Sequence, residues 1–348
     1  MKVACFFTGH GDLPVSEVVV STSRDARQHL HLGGKSAGSI GEIHDLNDPV
    51  CLSVADAQPV VIVSDLHLGH PATLIDDPRD LASLWQGART VIFNGDTVDT
   101  GPHVPHREVS RLLGRLVRSV EKAGATPIFT AGNHDPELVS TRAVELCHGQ
   151  VLVTHGDCLH PAIAPWSGES AIARQAFDMS FIMLSEVAQL QGENGPDSME
   201  LWLRASQAAA REVLARMDRY SHASAGPGAK LRHIGRFLFA PQRVMRILKY
   251  WRELPYRAAD FLDQHRPDAG FIIIGHSHKP GTWKVDDKVI VNTGAFQPLG
   301  KPSVVRIDRD ILAFSDLLHD KDGWHIGTPA AVTFDLPART TTRWEKAA

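Results

Sequence analysis

The sequence predicts an α/β fold built on two packed sheets, with a block of helices inserted between two of the strands. Three observations predict it. Five apolar runs each stop at a short turn carrying Asp, His or Asn. Helical periodicity falls between several of these runs, the alternation of a sheet covered by helices. Between about residues 161 and 253 the strand signals cease and helical ones take over.

The five runs set the order. Val60–Ser64 precedes Asp65-Leu66-His67, and Val91–Phe93 precedes Asn94-Gly95-Asp96-Thr97-Val98-Asp99. Pro127–Ala131 precedes Gly132-Asn133-His134-Asp135, and Val151–Thr154 precedes His155-Gly156-Asp157. Phe271–Ile274 precedes Gly275-His276-Ser277-His278. Runs this apolar read as strands buried on both faces. Ligands of open α/β sheets bind at the C-terminal ends of such strands. Leu81, Leu84 and Trp85 fit one face of a short helix. Val109, Leu112, Leu113, Leu116, Val117 and Val120 fit the apolar face of a longer one.

Helices are expected over Ala171–Gln191, Met199–Met217 and Ala229–Tyr250, with a further one over Tyr256–His265. Asn194-Gly195-Pro196 and Ala225-Gly226-Pro227-Gly228 separate the first three, and Pro241 is expected to break or kink the third. Short strands then follow at Gly281–Val285, Val289–Val291, Ser303–Ile307 and Ile311–Asp316, with a hairpin turn at Asp286-Asp287-Lys288; they supply the second sheet. A strand near Val15–Val20 is expected in the N-terminal extension. Gly33-Gly34-Lys35-Ser36 is not a phosphate-binding loop, because His29 stands where that loop needs glycine.

Composition narrows the function. The 348 residues are 43% hydrophobic and carry a formal net charge of −4, so global basicity does not point to nucleic acid as a partner. Four scattered cysteines show no C-x-x-C spacing and read as reduced thiols, which places the chain in the cytoplasm.

The five ordered motifs resemble those of the calcineurin-like metallophosphoesterase superfamily: Asp-x-His, Gly-Asp-x-x-Asp, Gly-Asn-His-Asp/Glu, a lone His, and Gly-His-x-His. The resemblance runs from Asp65 to His278 and implies an αββα sandwich. It also implies two divalent ions, manganese first with iron or zinc as alternatives. One would sit on Asp65, His67, Asp96 and His278, the other on Asp96, Asn133, His155 and His276, with Asp96 shared. The implied reaction is hydrolysis of a phosphomonoester, phosphodiester or pyrophosphate bond by in-line attack of metal-activated hydroxide. His134 is expected to serve the leaving oxygen, with Asp135 or another carboxylate orienting it. Asp99 is expected to support the turn or a ligand histidine.

On this reading residues 1–55 are an extension, 56–160 and 254–335 form the split core, 161–253 a helical cap, and 336–348 a tail. The long insertion and the His-Gly-Asp motif resemble the UDP-2,3-diacylglucosamine pyrophosphatase branch. His134 and Asp99 stand where that branch has Arg and Glu. A non-catalytic scaffold of the same fold is the alternative from another class, disfavoured because every ligand position is filled. Asp157 is a candidate substrate contact. So are Arg243, Arg246 and Lys249, which lie in a basic stretch from Lys230 to Arg257 with large apolar neighbours. That composition suits peripheral contact with an anionic membrane at its inner face.

Overall fold

The computed structural model describes residues 17–21, 27–31, 49–54, 57–101, 104–192, 195–220 and 241–336. Two sheets pack face to face. One has the strand order β10-β11-β9-β8-β7-β3, built from β3 (Cys51–Val54), β7 (Ala143–Leu146), β8 (Val151–Thr154), β9 (Phe271–Ile274), β10 (Gly281–Val285) and β11 (Lys288–Asn292). The other has the order β14-β13-β12-β4-β5-β6. It comprises β4 (Val60–Val63), β5 (Thr90–Asn94), β6 (Thr126–Thr130), β12 (Ser303–Asp308), β13 (Ile311–Asp320) and β14 (Gly323–Ile326), with β15 (Val332–Asp335) also pairing β13. Two further strands, β1 (Glu17–Ser21) and β2 (Arg27–His31), form a separate antiparallel pair.

Alternation within the fully apolar strands explains the layering. Ile62, Ile92 and Ile128 face Val144, Val153 and Ile273 between the sheets. Val61, Val63, Val91 and Phe93 point the other way, onto the 3-10 helix Pro78–Trp85 and helix α1 (His106–Lys122). The expected apolar face of α1, Val109 through Val120, is buried there. On the opposite side Leu152, Ile272 and Ile290 meet Leu254, Ala258 and Leu262 of a long helix at residues Pro241–His265. The chain is thus an αββα sandwich, as expected.

Between β8 and β9 lie α2 (Ser170–Gln191), α3 (Ser198–Tyr220) and that long helix, α4. Helices α2 and α3 pack through Ala173, Phe177 and Leu184 against Ala205, Ala209 and Ala210. One expectation changes. Pro241 is the first described residue of α4, so the expected break there lies outside the described residues. The helix then continues through Pro255 to His265, so the expected boundary between 253 and 254 falls inside it. Burial of Leu254, Ala258, Ala259, Phe261 and Leu262 outweighs the interior proline. Lys230 and the expected helix start at Ala229 lie outside the described residues, as do residues 337–348.

Candidate metal centre

Strands β4, β5 and β6 run parallel, as do β8, β9 and β11, so each sheet gathers its motif turns at one edge. The two edges meet at Asn94. Its Nδ2 donates to the Thr154 carbonyl at 2.8 Å and the Ile273 carbonyl at 3.3 Å, while its Oδ1 accepts from Thr130 Oγ1 at 3.0 Å. A fully buried amide therefore ties the last residue of β5 to the ends of β8 and β9. Backbone bonds lace the turns together: Asp65 N donates to Gly95 O (3.1 Å), His67 N to Asp96 O (2.9 Å) and Gly275 N to His155 O (2.8 Å).

Space and backbone angle dictate the residue types here. A Cβ on Gly275 would lie 2.2 Å from Asp65 Oδ2, and one on Gly95 (φ +76°) would lie 2.4 Å from the His155 ring. Asp65, His67, Asp96, His276 and His278 all adopt left-handed φ between 48° and 62°. Such conformations cost ~1–3 kcal/mol each and persist only where surroundings enforce them. Asp and His enter this region more readily than most residues.

The result is a buried cluster. Ligand atoms of Asp65, His67, Asp96 and His278 all lie within 4.8 Å of one another. His278 Nε2 is 3.2 Å from Asp65 Oδ1, His67 Nε2 is 3.8 Å from Asp96 Oδ2, and the two imidazole Nε2 atoms are 3.3 Å apart. His155 Nε2 approaches Asp96 Oδ2 at 3.3 Å, and the rings of His155 and His276 are 5.3 Å apart. The tautomers favour ligation. His155 Nδ1 donates to the Asn94 carbonyl (2.9 Å) and His276 Nε2 to the Ile163 carbonyl (3.1 Å), leaving His155 Nε2 and His276 Nδ1 for another partner.

This donor set fits divalent ions. His155 Nε2 and Asn133 Oδ1 are buried without a hydrogen-bond partner among the described residues. Burial opposes charge on His155, yet Asp96 and Asp65 push its pKa up to about 10. The two carboxylates thus demand positive charge at that nitrogen. Burial, with His134 and His278 nearby, pulls His67 down to about 3, and burial beside His155 pulls His276 down to about 4. Both are held neutral, as ligation requires. Mixed nitrogen and oxygen donors suit transition metals better than magnesium or calcium.

The sequence profile of the calcineurin-like phosphoesterases matches residues 58–280. The chain belongs to that family. No curated protein sequence matches it. Solved structures similar to it include a dimetal phosphatase from Danio rerio, at 14% identity over 74% of this chain and 95% of that one, with a TM-score of 0.37. Vps29 from Chaetomium thermophilum shares 14% identity over 82% and 98% of the chains, with a TM-score of 0.36. Zinc-complexed Vps29 from Entamoeba histolytica shares 14% over 79% and 98%, with a TM-score of 0.34.

Around the phosphoesterase motifs, several expected roles change hands. Asp135 does not touch the His134 ring. Its two oxygens accept from the backbone amides of Asp96, Thr97, Val98 and Gly132 at 2.7–3.2 Å, which locks two motif turns together. Burial and the nearby Asp96 raise its pKa to about 7. The partner of His134 is Asp99: Nδ1 lies 3.2 Å from Asp99 Oδ2. Burial opposes charge on His134, but Asp96 and Asp99 raise it to about 10, and its side chain is 41% exposed.

Asp157, expected to contact substrate, is fully buried, and both oxygens accept from Arg142 Nη2 at 2.7 Å. Arg142 also donates to the Ala131 and Gly132 carbonyls, so this ion pair braces the Gly132-Asn133 turn. Arg142 and Asn94 were missed by sequence reasoning. Only the polar character of Asn94 at the end of an apolar strand hinted at its role. Arg246 and Lys249 stand exposed on α4, and Arg243 is half-buried. The opposite face of α4 reaches the site, where Trp251 Nε1 donates to the Ser277 carbonyl at 3.0 Å.

Proposed function

We propose that the protein is a dinuclear-metal phosphoesterase that hydrolyses a phosphomonoester, phosphodiester or pyrophosphate bond. The observation that carries this reading is the Asp65–His67–Asp96–His278 cluster, with His155 Nε2, which has no hydrogen-bond partner among the described residues, 3.3 Å from Asp96 Oδ2. Asp65, His67, Asp96 and His278 hold one ion; Asp96, Asn133, His155 and His276 hold the other. When bound, such a pair supplies a nucleophile at neutral pH and Lewis-acid polarisation of the phosphoryl group. Manganese, iron and zinc all fit the donors.

The chain's own residues do the rest. Asp99 orients His134 through Nδ1, which leaves Nε2 toward the substrate. The Asp99 carboxylate at Nδ1 favours the protonated imidazole, the form that can donate a proton to the departing oxygen. Asp135 and the Arg142–Asp157 pair hold the turns still rather than meeting substrate. Helices α2 and α3 form an inserted cap, and α4 serves both cap and core. The test is turnover of bis(p-nitrophenyl) phosphate: dependence on added Mn²⁺ and loss on chelation support the reading. Absence of metal-dependent turnover on this ester, nucleotides, UDP-sugar lipids and single-stranded DNA would leave the scaffold alternative standing.

One observation favours a second reading, that the substrate bears lipid and is met at an anionic membrane surface. Met245, Leu248 and Tyr256 are 65%, 44% and 62% exposed on α4, interleaved with exposed Arg246, Lys249 and Arg252. Basic and apolar residues sharing one solvent face is the composition of an interfacial helix. None of the helices among the described residues is long and apolar enough to cross a membrane.

A further inference from the structure

Arg211 lies within electrostatic reach of Arg142 and Arg204. The other two have carboxylates. Arg142 is held by Asp157, and Arg204 by Glu200 at 2.7 Å. Arg211 is different. It is half-buried and no carboxylate closes an ion pair with it among the described residues; its Nε, like that of Arg142, is shielded from solvent without a hydrogen-bond partner.

Helix α3 explains its placement. Arg204, Gln207 and Arg211 recur at helical spacing on one face. Gln207 Nε2 donates to the Pro136 carbonyl at 2.8 Å and the Val139 carbonyl at 3.0 Å, which seats that face on the loop just beyond Asp135. Glu137, exposed on the same loop, acts on Arg211 through space. Burial, with Arg142 and Arg204 adding repulsion, lowers the Arg211 pKa to about 10 against the pull of Glu137; it stays charged at neutral pH. A guanidinium partly out of water without a partner is unfavourable until an anion reaches it. Its planar fork matches phosphate and carboxylate oxygens.

We propose that Arg211 is a specificity-determining residue that binds a second anionic group of the substrate, one that is not itself cleaved. This rests on the phosphoesterase reading and narrows it: the substrate carries a phosphate or carboxylate beyond the phosphoryl group under attack.

The test is calorimetric binding of propyl phosphate, propane-1,3-diyl bisphosphate and 3-phosphonooxypropionate to the Mn²⁺-loaded protein. The bisphosphate should bind ~10-fold or more tighter than propyl phosphate, the size of one charge-assisted hydrogen bond. Tightening by the carboxylate ligand as well marks a general anion site; tightening by the bisphosphate alone marks a phosphate site. Arg211→Gln should bring the ratio close to one, and Arg211→Lys should retain part of it. Glu137→Gln, which removes a competing carboxylate, should increase the ratio. A ratio of one in the unmodified protein, or a ratio untouched by both Arg211→Gln and Glu137→Gln, overturns the subsite. If turnover of bis(p-nitrophenyl) phosphate and propyl phosphate binding are normal in that case, only the subsite falls. If none of the three ligands binds and no metal-dependent turnover exists, the phosphoesterase reading falls with it.

Discussion

At the motif turns, the cost of the structure sits in the backbone: five candidate ligands hold left-handed φ, and glycines stand where any side chain would collide. In the helices between β8 and β9 the cost sits on the surface. Helix α2 exposes Met179, Ile182, Met183 and Leu190, and α4 exposes Met245 and Leu248. At the turns each position admits one or two residue types, so chemistry and geometry are both written locally. In the helices only a loose periodicity is required, and what a residue touches depends on elements far away in sequence.

The largest effect expected from breaking the turn region is at His134. As a proton donor it contributes ~100- to 10,000-fold to rate. His134→Ala should keep its metals and lose most turnover on an alkyl phosphodiester, whose leaving group is poor, and much less on a p-nitrophenyl ester. Unchanged rates on the alkyl ester would remove His134 from the mechanism.

Next is the brace beneath the turns. Removing one partner of a buried ion pair costs ~3–5 kcal/mol. Asp157→Asn should lower stability by that order in denaturant titration, because it leaves Arg142 fully buried and uncompensated. A change within error would mean the pair is relaxed or hydrated.

The cap should respond more mildly. Attraction to an anionic leaflet is worth ~1 kcal/mol per nearby Lys or Arg. Changing Arg246, Lys249 and Arg252 to Gln should release the protein from anionic vesicles in sedimentation, and high salt should do the same. Equal, negligible binding of the unmodified protein to anionic and neutral vesicles would leave α4 a solvated face.

The smallest effect is at Asp77, which belongs to neither region. Its side chain accepts from Arg79 N as cap of the 3-10 helix and pairs with Arg79 and Arg115. The Arg79 hydrogen bond, partly offset by burial, lowers its pKa to about 2. A depressed carboxylate stabilises above its unfolded pKa, and that contribution is lost as pH falls from about 4 toward 2. Because the pair is exposed, it is worth ~1 kcal/mol or less. Asp77→Asn should flatten the acid limb of the stability curve by that amount; an unaltered limb would show the pair contributes nothing.

The same division explains what could be read in advance. The five motif strands, α1 and the β10–β11 hairpin follow from apolar runs and turn residues. Strands β3, β7, β14 and β15 are four residues each, like β4, β8 and β9, but they mix polar with apolar residues and do not announce themselves. Their partners, not their sequences, make them strands. Within the site, the clustered Asp and His positions were legible because such residues at strand ends are chemically conspicuous. The roles of Asp99 and Asp135 were not, since both follow a motif glycine and only the folded turns decide which one reaches His134. Arg142 carried no motif, because its partner Asp157 lies across a hairpin. The expected gap between helices ending at Tyr250 and starting at Tyr256 closes because the packing that carries α4 past Pro255 is tertiary.

The central claim is that one carboxylate, Asp96, organises two cations. Metal analysis of purified Asp96→Asn beside His278→Ala tests it most directly. The account predicts that Asp96→Asn loses tight binding of both ions together with turnover, whereas His278→Ala loses mainly one. Two tightly held ions and normal turnover in Asp96→Asn would contradict it.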